Sequence, residues 1–337
     1  DTLIGSANTD DTILGGIGND SIVGNGNNDS ILGGEGDDTI VFGSNAELAT
    51  SLVDGGNGDN TIKFSANGDL VDADFTNVTN IQTVELANGD NTVTLGVEAN
   101  QAGIATIVGG ANNDDIDASA FNSDLTFIAT LGGSDTFLGG AGNDDVLFAN
   151  NSDLASSNID GGGGTDNSIS FRATVDVIDT DFTNVANIDS LILLGGTNNV
   201  DLGAEANEAG ISTIIGGSGN DDIDASAFNS DITFIATLGG SDTFLGGLGN
   251  DDILFASNSD LASSNIDGGV GTHDTIEFTA ATTIVDSDFT NVDQIEVIRL
   301  SGASTATFNS EANDADIATV YGGSGNNNIT QGAGFTN

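Results

Sequence analysis

Aspartates recur at one fixed place in a glycine-rich phrase of nine residues. Three copies abut: GGIGNDSIV from Gly15, GNGNNDSIL from Gly24 and GGEGDDTIV from Gly33. Four stand singly: GGANNDDID from Gly109, GGAGNDDVL from Gly139, GGSGNDDID from Gly216 and GGLGNDDIL from Gly246. The sixth residue of each is Asp20, Asp29, Asp38, Asp114, Asp144, Asp221 or Asp251, and a shortened form, GGSDTFL, puts Asp135 and Asp242 in the same place. Asp11 is in phase with the first array but lacks its glycines. A carboxylate set among turn carbonyls is a hard-oxygen donor set, and flexible oxygen coordination at about 2.3–2.6 Å is what Ca²⁺ prefers.

These carboxylates need a scaffold that stacks them. Glycines at the first, second and fourth places of the phrase permit positive φ and close backbone approach, so the chain can turn sharply. The triplet after the Asp reads as a very short strand whose apolar middle residue (Ile22, Ile31, Ile40, Val146, Ile253) points inward. Two turns and two strands make a coil of roughly 18 residues. Coils stacked about 4.8 Å apart form parallel sheets, and the whole chain would make a rod on the order of 90 Å long. Stacked turns bring ionised carboxylates together, and that column needs counter-charge.

The chain cannot supply it. Its 337 residues carry 52 acidic side chains against three basic ones, for a net charge of −49. The cations are Lys63, Arg172 and Arg299. Three scattered cations make no phosphate-binding patch, so nucleic acid is excluded as a partner. Cysteine is absent, which excludes disulfides and thiolate metal sites. No apolar run approaches the length of a membrane span. The apolar fraction, 37%, is too high for an acidic disordered tail. Ca²⁺ is therefore expected to supply the missing charge and to be coupled to folding.

A longer period encloses the nonads. Asp-Phe-Thr-Asn-Val begins at Asp74, Asp181 and Asp288, about 107 residues apart. We read three tandem units, 1–108, 109–215 and 216–337, as one continuous solenoid with no linker between them. Between nonads, Phe182, Val185, Ile188, Leu191 and Leu193 are spaced three, three, three and two, with equivalents in the other units. The three-residue spacing suits a helical turn or curved approach and the last pair a strand. Further strands are expected at 92–95, 105–108, 199–202 and 212–215. The 98–102 stretch is read as one helical turn. The chain opens on Asp1 without a signal peptide, as an excised or mature fragment would, and neither end looks capped.

The nonads resemble the RTX (repeat-in-toxin, hemolysin-type calcium-binding) family, strongly over Gly15 to Val41 and clearly at the four single copies. The resemblance implies an all-β, right-handed parallel β-roll. It implies that the aspartates named above bind calcium together with the glycines of their turns: Gly16 and Gly18, Gly34 and Gly36, Gly140 and Gly142, Gly217 and Gly219, Gly247 and Gly249. Departures are visible. GGNGDNTIK has Asn60, and GGSGNNNIT has Asn327, where Asp belongs. These turns are expected to be calcium-free and held by amide hydrogen bonds. GGGGTDNSI from Gly161 and GGVGTHDTI from Gly268 carry an extra residue.

Paired carboxylates such as Asp144–Asp145 could serve a glycosidase, but an active site is a singular constellation and these recur with the period. We expect no enzyme. His273, the one histidine, is expected to be an exposed turn residue. Arg172 and Arg299, unmatched between the units, are expected to neutralise local acid or to pair between molecules; Lys63 and Arg172, near equivalent strand ends, also admit a lesser reading as a shared substitute for calcium. Three functions remain open: a secreted, calcium-stiffened structural protein that self-associates into a surface layer, sheath or filament, with cell-surface polysaccharide as a further partner; an extender of a large RTX adhesin; or the calcium module of a secreted enzyme.

Overall fold

A computed structural model describes residues 1–336. They form two compact units, Asp1–Ile169 and the described residues from Ser170 onward. In the first, Thr2–Ile4, Ser21–Val23, Thr39–Phe42, Thr61–Phe64, Thr83–Glu85, Thr106–Val108, Thr126–Ala129 and Asp145–Phe148 pair in that order, all parallel. Register threads Ile22, Ile40, Ile62, Val84, Ile107, Phe127 and Val146 into one buried column, each 0% exposed. Alternation sets the inward face: in Thr39–Phe42, Ile40 and Phe42 are buried while Thr39 and Val41 are half-buried.

A second layer starts with the parallel strands Thr12–Ile17, Ser30–Glu35, Leu52–Asn57 and Val78–Thr79. It continues in a separate sheet with Asp69–Leu70, Asn91–Thr94, Asp114–Asp117, Thr136–Leu138 and Asn158–Asp160. The layers meet through their inward side chains. Phe127 of the long sheet stacks on Phe137 of the second layer at 5.7 Å between centroids, a separation typical of aromatic contacts.

The second unit repeats this plan. Ser190–Leu193, Thr213–Ile215, Thr233–Ala236, Asp252–Phe255, Thr275–Phe278, Val297–Arg299 and Thr319–Tyr321 make one parallel sheet. Facing it are a sheet running from Asp176–Val177 to Val292–Asp293 and a shorter one of Thr283–Ile284, Thr305–Phe308 and Asn328–Gln331. Phe234 and Phe244 form the equivalent stacked pair, at 5.7 Å. Both units are all-β parallel solenoids. The 18-residue coil holds in the N-terminal array; elsewhere a coil takes 19 to 26 residues.

The longer coils accommodate single helical turns. The expected turn at 98–102 is the helix Val97–Ala102, ended by Gly103 at φ +96°, with a counterpart at Ala204–Ala209. The Asp-Phe-Thr-Asn-Val motif begins at the close of a 3-10 turn, Asp72–Phe75, Asp179–Phe182 or Asp286–Phe289; the three-residue spacing beyond its Phe is not helical but runs through short strands such as Val78–Thr79. Three further helices, Asn45–Thr50, Asn151–Ser156 and Asn258–Ser263, carry no periodicity that marks them in the sequence. Each buries one leucine, and six residues are too few to show a helical stripe.

Candidate metal centre

Each coil turns just before a strand, and the backbone N–H at that corner points along the stack. Buried, it needs an acceptor. The structure supplies one short polar side chain per corner. Asp20 N–H donates to Asp38 Oδ1 (2.8 Å), Asp38 N–H to Asn60 Oδ1 (2.9 Å) and Asn60 N–H to Gln82 Oε1 (2.8 Å). On the second layer Asp11 N–H donates to Asp29 Oδ1 (2.9 Å) and Asp29 N–H to Ser51 Oγ (3.3 Å).

The same ladder organises the lone nonads. Asp114 N–H donates to Asp135 Oδ1 (2.9 Å), Asp135 N–H to Ser157 Oγ (3.0 Å) and Asp144 N–H to Asn167 Oδ1 (2.9 Å). In the second unit Asp221 N–H donates to Asp242 Oδ1 (2.9 Å), Asp242 N–H to Ser264 Oγ (3.0 Å), Asp251 N–H to Asp274 Oδ1 (2.7 Å) and Asp274 N–H to Glu296 Oε2 (2.8 Å). Of the nonad aspartates, all but the half-buried Asp11 are buried. The ladder also enlists Asn60, Asn91, Asn167, Asn198, Asp274, Ser51, Ser157 and Ser264. Sequence reading missed the serines and Asp274, because a corner acceptor can be any short polar side chain.

One oxygen of each carboxylate is thus committed to structure, and the fate of the other divides the sites. In the contiguous array Gly16, Gly18, Gly34 and Gly36 have φ between +101° and +119°. There Asp20 Oδ2 and Asp38 Oδ2 are buried with no hydrogen-bond partner. Among the lone nonads Gly140, Gly142, Gly217, Gly219, Gly247 and Gly249 are not at positive φ, against the expectation. They are needed for close approach instead: a Cβ on Gly140 would strike the carbonyl of Phe121, and one on Gly142 that of Ser123. In this geometry the turn offers N–H to its carboxylate. Asp144 accepts from Leu125 N–H at 2.9 Å and Gly140 N–H at 2.8 Å, and Asp251 from Ile232 N–H at 2.9 Å and Gly247 N–H at 3.1 Å. Asp114 is held by Asn91 Nδ2 (2.7 Å) and Gly110 N–H (2.7 Å), and Asp221 by Asn198 Nδ2 (2.7 Å).

Burial leaves its mark on these groups. Desolvation, reinforced by the neighbouring carboxylates, pushes Asp135 up to about 7 and Asp242 up to about 6. Asp144 is raised to about 6 by burial and Asp124. Asp29, Asp38, Asp114, Asp221 and Asp251 are raised as well, by burial first.

The departures from consensus show what belongs beside the second oxygen. Asn60 Nδ2 donates to Asn80 O (3.1 Å) and Gly58 O (3.4 Å), and Asn327 Nδ2 to Gly323 O (2.9 Å) and Gly325 O (3.1 Å). These turns are held by amide hydrogen bonds, as expected. Where Asp replaces Asn, an anionic oxygen takes the place of the NH₂ group. The array therefore fits Ca²⁺: Asp20 and Asp38 offer orphaned anionic oxygens, and a Cβ on Gly15 or Gly33 would meet both that oxygen and a carbonyl of the next turn, Gly33 O or Gly55 O. Among the described residues no three acidic or histidine side chains converge on one point, so a cation here must draw on backbone oxygens.

The basic residues do other work. Lys63 Nζ pairs with Glu85 at 2.5 Å, directly across the sheet, and Arg299 lies 3.9 Å from Glu277 and 5.9 Å from the Tyr321 ring centre. Lys63 is thus a cross-strand partner on the outer face, not a substitute for calcium. His273 is exposed in its turn, with Nδ1 3.0 Å from Thr272 Oγ1. No helix of the described residues is long and apolar enough to cross a membrane.

Comparison with known families gives four matches to one family, described as the RTX calcium-binding nonapeptide repeat, at residues 5–40, 127–154, 208–232 and 229–261. No curated protein matches the chain. The first match spans the contiguous array, and the other three take in Asp135, Asp144, Asp221, Asp242 and Asp251.

Proposed function

From a chain that carries the RTX calcium-binding nonapeptide repeat at four places, we propose a secreted structural protein that folds on Ca²⁺ and then self-associates into a surface layer, sheath or filament. The observation carrying the calcium part is the pair of buried, unpartnered oxygens, Asp20 Oδ2 and Asp38 Oδ2, in the turns with left-handed glycines. Bound there, Ca²⁺ supplies positive charge between the carboxylate and the turn carbonyls. The residues do the rest: Oδ1 holds the preceding coil through its N–H, and the glycines let consecutive turns approach.

Threefold recurrence of the acidic motifs supports a structural role over a catalytic one, since repetition builds length and not a unique constellation. Scarce intracellular calcium would keep such a chain unfolded until export. Chelator should abolish the β-type circular dichroism and millimolar Ca²⁺ restore it; spectra unchanged by chelator would reject coupled folding. Electron microscopy of the refolded protein tests assembly: fibres or lattices appearing with Ca²⁺ support it, and monodisperse particles at every protein concentration count against it.

A further inference from the structure

Asn60 and Asn167 occupy equivalent corners of the first and second tandem units, and in the third that corner is Asp274. Both asparagines use the amide nitrogen in the turn: Asn60 Nδ2 reaches Asn80 O at 3.1 Å, and Asn167 Nδ2 reaches Gly163 O at 2.8 Å. The surroundings are kept in the third unit. A Cβ on Gly55 would collide with Asn80 O and the Asn60 side chain; one on Gly268 would collide with Gln294 O and the Asp274 side chain. Asn80 and Gln294 share the left-handed backbone, at φ +56° and +51°. So Asp274 puts a carboxylate, its two oxygens against Gly271, in the corner where its counterparts carry a neutral amide.

Asp274 is 0% exposed. Its Oδ1 accepts the Asp251 N–H at 2.7 Å, and its Oδ2 is buried with no hydrogen-bond partner. A buried anionic oxygen with no donor requires something positive beside it. We infer that Asp274 holds a further Ca²⁺, in a turn whose inserted residue takes it out of the nonapeptide pattern, with Asp274 Oδ2 as its anionic ligand and turn carbonyls as its neutral ones; a Cβ on Gly271 would meet both Asp274 Oδ2 and the Gly249 carbonyl. The inference rests on the calcium reading above but concerns a corner outside all four family matches. A proton is the competing bridge. Asp251, Glu296 and Asp231 add negative potential here, which attracts a divalent ion more strongly than a single proton charge.

Equilibrium dialysis of metal-stripped protein against labelled Ca²⁺ at pH 7.5 tests it. Asp274→Asn is expected to bind one ion fewer than the parent and to keep its β-type spectrum in Ca²⁺, because asparagine already fills the equivalent corners at Asn60 and Asn167. The reciprocal Asn60→Asp is expected to bind one ion more, which guards against a fold defect in the first variant. Equal stoichiometry in the parent and both variants overturns the inference and leaves the array reading intact. No calcium binding by any of the three proteins overturns both.

Discussion

Asp38 and Asp144 hold the same place in the same nonad, yet their second oxygens meet opposite partners. Asp38 Oδ2 has no donor, whereas Asp144 Oδ2 takes the Gly140 N–H at 2.8 Å. Asp144→Asn should therefore leave one backbone N–H facing an NH₂ group and cost about 1–3 kcal/mol, read as a lower urea midpoint in saturating Ca²⁺. An unchanged midpoint would show that the turn does not need both acceptors. Burial also sets a pH dependence. Asp135 and Asp274 are pushed up to about 7, and Asp144 and Asp242 to about 6, from an ordinary 3.8. The folded state keeps protons that the unfolded chain has released, so the metal-free protein should lose stability as pH rises from about 4 through 7. Circular dichroism in chelator across that range checks the sign: the β-type signal should fall as pH rises, and a signal that climbs with pH would refute it.

Short elements are held by carboxylates from the neighbouring coil. Asp179 Oδ1 accepts from Gly203 N–H (2.8 Å) and Ala206 N–H (3.0 Å), capping the helix Ala204–Ala209. Asp72 and Asp286 do the same at Gly96 and Asn309. Two residues further along the 3-10 turn, Asp74 Oδ2 takes the Val71 N–H at 3.0 Å. Much of the acidic composition is thus spent on orphan N–H groups, not on metal. Asp179→Ala should cost about 1–2 kcal/mol and speed amide exchange at Gly203 and Ala206, with calcium stoichiometry unchanged. A lost ion would move Asp179 into the metal site. The nonad strands were legible in the sequence because a buried apolar residue follows each Asp by two places. The capping role of Asp72 was not, since its partners lie 24 to 27 residues away and no local pattern links them.

At the scale of the molecule, 52 acidic groups against three basic ones oppose compaction. Screening and specific binding should separate cleanly. In chelator, raising NaCl shortens the range of repulsion to about 3 Å at 1 M and should shrink the radius of gyration in X-ray scattering. It should not restore the β-type spectrum, because Na⁺ has half the charge to place between carboxylate and carbonyl. Recovery of the spectrum in NaCl alone would show that charge screening, not site binding, drives folding.

Sequence by itself determined the parallel stacking, the tandem unit and the inward residues of the nonads, because a fixed period leaves each coil only its own copy to pair with. It also identified the aspartates, through their constant place after the glycines. Tertiary structure decided what each carboxylate does. Whether a turn offers an N–H to the second oxygen of its Asp depends on how the neighbouring coil seats its glycines, and glycine accepts either sign of φ. The difference follows the neighbours: Gly34 lies over Gly16 of another nonad turn, while Gly140 lies against Phe121 and Ala118. Identical nonads thus became different sites, and Asp274 joined the ladder from a turn that breaks the pattern.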